Sequence, residues 1–156
     1  MASELQAEAT EALEDLRDLA RGIYPPLLAD KGLGAALESQ ARKAAVQVSV
    51  EIDGVGRYPQ DVESALYFCC LEALQNVAKY AHATRAEARL WASDGELSFE
   101  VTDDGAGFDP SVTPRGSGLQ GMADRLEAIG GSLVVRSQPG RGTSVTGRVP
   151  VPRGPA

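Results

Sequence analysis

The chain has 156 residues, 22 acidic against 15 basic side chains, and a formal net charge of −7. That length suits one domain with a sizeable core, and 43% hydrophobic with 24% charged residues is ordinary for a soluble globular fold. The acidic balance argues against a nucleic-acid surface, which needs clustered Lys and Arg. No apolar run is long enough to span a bilayer, so no membrane contact by this chain is expected.

Apolar residues recur at Leu5, Ala9, Ala12, Leu16, Leu19 and Ile23, the spacing of a heptad seam. Tyr24-Pro25-Pro26 stops that helix, because proline cannot continue it. The seam reads as one member of a helical bundle whose partners lie elsewhere. A second helix is predicted from 33 to about 45, with Leu33, Ala36, Leu37 and Ala41 on its inner face. Val46, Val48, Val50 and Ile52 alternate with polar residues, the pattern of a half-buried strand. After a turn at Asp53-Gly54-Val55-Gly56, Pro59 stands near the start of a long helix reaching about Ala81. Strands at 86–92 and 96–102 form a hairpin through Ser93-Asp94-Gly95. A loop over 104–117 leads to a helix over 119–129, ended by Gly130-Gly131. Strands at 133–137 and 143–149 close the domain around Pro139-Gly140-Arg141-Gly142. The expected fold is a two-layer α/β sandwich, a mixed and mostly antiparallel sheet with helices on one face. The division is residues 1–26 for the seam helix, 27–150 for the sandwich, and 151–156 for a disordered tail.

Cys69 and Cys70 are the only cysteines and are adjacent. On a helix they point about 100° apart, which fits buried, reduced thiols of a cytosolic protein and neither a disulfide nor a metal site. Glycine makes up 17 of 156 residues, about 11% against the usual ~7%, and much of the excess lies between Gly105 and Gly142. Such loops approach a ligand closely.

Three motifs occur in order: Glu72-x-x-x-Asn76-x-x-Lys79, Asp103-x-Gly105-x-Gly107, and Gly116-x-Gly118-x-x-Gly121. Glu72, Asn76 and Lys79 fall on one stripe of the long helix, away from Leu66, Leu74, Val77 and Ala78, which are expected to pack inward. An Asn carboxamide oxygen suits Mg²⁺, which favours oxygen ligands, keeps several waters and bridges phosphates. Lys79 would pair with a phosphate. Glu72 would orient a metal-bound water or polarise the reacting group. Asp103, followed by glycines that permit positive φ, can accept a hydrogen bond from an adenine N6 amine. A guanine would set its O6 acceptor against the same carboxylate, which disfavours GTP. Thr143 is placed to bond the same base or a bridging water. The third run matches the dinucleotide fingerprint literally, yet it lacks a preceding strand and an acid about 20 residues on, so that reading fails. A glycine loop at a helix N-terminus, suited to phosphate, survives. The only histidine, His82, has no ligand-type neighbours and reads as a residue beyond the helix end. Together the motifs describe an ATP site.

Glu72-Ala-Leu-Gln-Asn76-Val-Ala-Lys79 resembles the N box of the Bergerat-fold ATPases, Asp103-Asp-Gly105-Ala-Gly107-Phe108 their G1 box, and Gly116-Ser-Gly118-Leu119-Gln-Gly121-Met their G2 box; Gly142-Thr143 is similar to the last adenine-side element. Leu16-Arg17 through Ile23-Tyr24-Pro25-Pro26-Leu27, then Gly32-Leu33-Gly34-Ala35-Ala36-Leu37, resembles the end of the dimerisation segment of nitrate/nitrite-sensor-type histidine kinases. The resemblance implies an ATP-binding catalytic domain that phosphorylates a histidine on dimerisation helices for relay to a response regulator, in a cytoplasmic part of a homodimeric kinase. It implies ATP contacts at Asn76, Lys79, Tyr80, Asp103, Gly105, Gly107, Gly116, Gly118, Leu119, Gly121 and Thr143, with Mg²⁺ on Asn76 and Glu72 catalytic. The lid between Phe108 and Gly116, which includes Arg115, is short, as in this subfamily, and offers few phosphate contacts. The acceptor histidine would precede residue 1, so this chain alone is not expected to phosphorylate itself. Tyr80 stands where that family usually has histidine. The alternative is an anti-sigma-factor-type regulatory kinase or partner-binding module, which predicts no heptad helix. A gyrase-like hydrolytic ATPase would need a further transducer domain.

Overall fold

A computed structural model describes residues 25–80, 82–109 and 117–151, without the side chains of Lys79, Tyr80 and Ser117. The seam at residues 5–23, the loop glycine Gly116, Arg115 and residues 152–156 lie outside the described residues.

The first element, α1 (Pro26–Lys31), was not foreseen. Its six residues are too few for a 3.6-residue period to show, and the Pro-Pro pair reads as a stop. Pro25 is extended while Pro26 takes the first helical position, where a missing N–H costs nothing. Gly32, at φ 91°, receives the chain from α1, bonds back to the Leu28 carbonyl, and starts α2 (Leu33–Arg42). That helix ends earlier than the expected residue 45. Lys43 and Ala44 bond to carbonyls three residues back, tightening the last turn. Gln40, rather than Ala41, completes its buried face.

Strand β1 (Gln47–Asp53) pairs in parallel with β2 (Arg85–Ser93), and the 21-residue helix α3 (Gln60–Tyr80) makes the crossover a parallel pair requires. Asp94 and Gly95, both at positive φ (55° and 78°), turn β2 into β3 (Glu96–Asp103). Two positive φ values in a two-residue loop match the right-handed twist of the strands. Helix α4 (Ser117–Glu127) ends where Gly131 bonds back to the Leu126 carbonyl and Gly130 takes φ 82°. Strands β4 (Ser132–Ser137) and β5 (Thr143–Pro150) complete a sheet of order β1-β2-β3-β5-β4, antiparallel after the first pair.

The expected mixed, mostly antiparallel sheet with helices on one face is what the chain forms. Strand alternation turns Ala86, Ala88, Leu90, Leu97, Phe99 and Val101 inward, where they meet Leu66, Met122 and Leu126 from α3 and α4. Gly147 lies under the Phe99 ring, where a Cβ would collide with it. Leu66, Leu74 and Val77 are buried as expected, whereas Ala78 is exposed, one position round the helix from the core stripe. Cys69 and Cys70 are buried free thiols, and burial pushes the Cys69 thiol up to about 12. Val151, assigned to the tail by sequence, donates its amide to the Gly95 carbonyl at 2.8 Å. No helix among the described residues is long and apolar enough to cross a membrane.

Candidate functional site

Asp103 closes β3 directly opposite Thr143 on β5, and Ser137 of β4 is the next partner in that cross-strand row. The row points to the helical side of the sheet, because Asp103 is 9% exposed while Thr102 beside it is exposed. Gly105 donates its N–H to Asp103 Oδ1 at 2.8 Å, and the Thr143 amide also faces the carboxylate. Burial nevertheless pushes the Asp103 carboxyl above its usual 3.8, with those two amides holding it down in part. A carboxylate placed this way, short of water, has strong reason to accept an N–H from a ligand.

The two G1 glycines act differently. Gly105 contributes its N–H and its burial. The positive φ lies at Gly107 (65°), where a Cβ would run into the carbonyls of Gln138 and Gly142. Gly142, at φ 75°, is in turn pressed against the Asp103 carbonyl. Glycine at both positions lets the loop after β3 and the β4–β5 turn nest together. Ser137 ties the nest: its Oγ accepts from the Phe108 amide at 2.8 Å, reaches the Gly142 carbonyl at 3.0 Å, and lies 2.9 Å from Thr143 Oγ1.

Glu72 and Asn76 are half-buried on α3, four residues apart and so on one stripe. A Cβ at Gly118 would strike the Glu72 carboxylate, which brings the first turn of α4 against α3 at that point. Leu119 packs against the core. Gly121 has open space beside it, so no protein atom there demands glycine. The structure thus joins Glu72 with Gly118, and Asp103 with Gly105, Gly107 and Thr143. Helix α3 spans both groups by packing on β3 and on α4. Gly116 and the side chains of Lys79 and Tyr80 are outside the described residues. His82 is exposed just past α3 at φ 51°.

Sequence reasoning passed over Asp104. Its Oδ1 accepts the amides of Thr84 and Arg85 at 2.9 and 3.0 Å, and its Oδ2 the Thr84 hydroxyl at 2.7 Å. The hydroxyl and then the two amides hold its carboxyl below the usual value. Asp104 therefore anchors the connection leaving α3 to the start of the loop that carries Asp103. Two adjacent aspartates before a glycine carry no local signal of a tether 20 residues back. Ser137 was missed because a polar residue ending an alternating strand carries no special signal.

Among the described residues no group of three or more His, Cys, Asp or Glu could hold a metal. A cation here would need oxygens brought by phosphates and water, with protein donors such as the Asn76 carboxamide. That donor set fits Mg²⁺ and no thiolate- or imidazole-loving metal.

Residues 61–153 match the family described as histidine kinase-, DNA gyrase B-, and HSP90-like ATPase. The oxygen sensor histidine kinase NreB of Staphylococcus carnosus is 32% identical over 146 residues, covering 89% of this chain and 42% of that protein. The signal transduction histidine-protein kinase/phosphatase DegS of Brevibacillus brevis is 31% identical over 161 residues, covering 90% of this chain and 42% of that protein. The chain thus spans about two fifths of the length of these relatives. In fold it resembles the Erythrobacter litoralis EL346 blue-light activated histidine kinase, with TM-score 0.62 at 23% identity over 90% of this chain and 46% of that one. With the match running from the first turn of α3 past the end of β5, the chain belongs to the histidine kinase-, DNA gyrase B- and HSP90-like ATPases.

Proposed function

We propose that this chain is the ATP-binding catalytic domain of a two-component sensor histidine kinase. It transfers the ATP γ-phosphate to a histidine on the dimerisation helices of the same kinase, for relay to a response regulator. The observation that carries the reading is Asp103: a carboxylate buried at a strand end, braced by the Gly105 and Thr143 amides, with acceptor capacity for an adenine amine. The two curated relatives, both named histidine kinases, support the choice within the family.

In this reading the base lies on Asp103 and Thr143, with Gly105 and Gly107 allowing its close approach. Gly116, Gly118, Leu119 and Gly121 bring the start of α4 to the phosphates, whose charge suits the free amides of a helix N-terminus. Lys79 pairs with a phosphate and Tyr80 borders the site. Mg²⁺, when bound, neutralises phosphate charge on the Asn76 oxygen. Glu72, held between α3 and Gly118, orients the reacting group. Buried, unpaired thiols at Cys69 and Cys70 accord with a cytoplasmic location, and the intact kinase works as a homodimer.

Calorimetric titration of Mg-ATP and Mg-GTP into the chain and its Asp103→Asn variant tests the site. Saturable ATP binding, absent with GTP and lost in the variant, is expected. Adding the dimerisation segment with its acceptor histidine should then yield phosphohistidine. Failure to bind ATP would overturn the site, and binding without phosphotransfer would overturn the kinase assignment.

A further inference from the structure

The sheet has a second face at the same end. Thr102 on β3, Ser144 on β5 and Arg136 on β4 are cross-strand partners in one row, one residue out of phase with Asp103, Thr143 and Ser137. Successive side chains in a strand point to opposite faces. This row therefore leaves the sheet away from the helices and from the proposed adenine pocket. The β4–β5 turn, with Gln138 and Arg141, folds beside it, and these residues together with Ser137, Gly142 and Thr143 line an open cavity of about 460 Å³.

The lining is one-sided in charge. Arg136 and Arg141 bring two guanidinium groups, Thr102 and Ser144 two hydroxyls, and Gln138 a carboxamide; no carboxylate among the described residues lines the cavity. The nearest acid in register, Glu87, lies one strand further on, opposite Thr102. Neither arginine has an ion-pair partner among the described residues. Elsewhere on the domain Arg57 pairs with Glu63, Arg89 with Glu51 and Glu100, and Arg125 covers the Phe68 ring. Two guanidinium groups lining one cavity with hydroxyl donors, in a chain of net charge −7, are an arrangement suited to a multiply charged oxyanion. The volume is that of a small-ligand site.

We infer that this cavity is a second, non-nucleotide anion site that takes a small phosphate-class oxyanion on the outer face of the sheet, back to back with the adenine side. The guanidinium groups of Arg136 and Arg141 supply the charge, and Thr102, Ser144 and Gln138 complete the donor set. The same turn that bounds the cavity presses its Gln138 and Gly142 carbonyls against Gly107, so an anion there sits on the support of the loop following Asp103.

Inorganic pyrophosphate titrated into the full chain without magnesium, followed by amide chemical shifts, locates the site directly. Saturable shifts are expected at Thr102, Ser144 and residues 138–142, weakening as salt rises. The Arg136→Gln/Arg141→Gln variant should bind about tenfold or more weakly, the scale of losing hydrogen bonds to charged groups. Shifts confined to Gly105, Gly118 and their neighbours would place the anion in the nucleotide site and overturn the proposal. So would shifts at 138–142 that survive in the double variant. Saturation by a hexaglutamate peptide but not by pyrophosphate would also overturn it, making the face a peptide-docking surface. Mg-ATP shifts near Gly105 and Gly118, read separately, report on the nucleotide assignment whatever the outcome here.

Discussion

An ion pair at the junction between α1 and α3 has its two halves in unequal surroundings. Arg57 Nε and Nη2 reach Glu63 Oε2 and Oε1 at 3.1 and 3.3 Å, a bidentate contact. The Glu63 side chain is 1% exposed and that of Arg57 51%. Arg57 also donates to the Leu28, Ala29 and Asp30 carbonyls at 3.4, 3.0 and 3.4 Å, closing the C-terminal end of α1. Removing the arginine takes the guanidinium from a buried carboxylate that keeps the Tyr58 amide at 3.3 Å, a change worth about 3–5 kcal/mol. The freed carbonyls of α1 add little because most of those contacts face water. Removing the acid frees a guanidinium that water can reach, at roughly 1–2 kcal/mol. Arg57→Met should therefore cost about 2–3 kcal/mol more than Glu63→Gln. With a urea slope of about 2 kcal/mol/M, the Arg57→Met midpoint falls by ~2 M and that of Glu63→Gln by ~0.5–1 M. The double variant should be less destabilised than the sum of the singles, since it leaves no buried charge. Equal midpoints for the two single variants, or strict additivity, would refute the argument. Either would mean that the burial of Glu63 does not set the cost.

Three further outcomes follow from the site. The raised Asp103 carboxyl contributes stability that is present below 3.8 and lost as pH rises through its folded-state value. Asp103→Asn should thus leave ligand-free stability at pH 7 unchanged or improved while abolishing ATP binding, and ATP affinity of the unmodified chain should fall as pH drops through that raised value; thermal melts and calorimetry read both. Gly107→Ala places a Cβ at φ 65° against two carbonyls, costing at least about 1–2 kcal/mol from the left-handed backbone alone, and urea unfolding should show that loss together with weakened nucleotide binding. With its thiol pushed up to about 12 by burial, Cys69 is roughly one part in ten thousand thiolate at pH 8, so a thiol reagent should label it at the rate of unfolding, and fast labelling of the native chain would contradict its placement.

How much of this could be read from the residues depends on the range over which each signal acts. Alternation in β2 and β3 and the Asp-Gly turn between them are local, and the hairpin formed where expected. Glu72 and Asn76 share a stripe because helix geometry alone puts residues four apart on one side. What the sequence did not disclose is which chain segments meet. Gly118 was assigned to phosphate, and it is also the place where α4 closes on Glu72. Nothing local marks Asp104, yet its carboxylate fastens residues about 20 positions upstream. Arg57 sits in a loop with no periodicity, and its partners lie on both α1 and α3. The parallel pairing of β1 with β2 sets which end of the sheet receives α3. It thereby sets which polar side chains gather at the Asp103 end, and a strand's alternation carries no information on that. Glycine was the nearest thing to a long-range signal. At 107 and 142 it marks where two distant backbones touch, and its partner became identifiable only once the Gln138 and Asp103 carbonyls were seen against it.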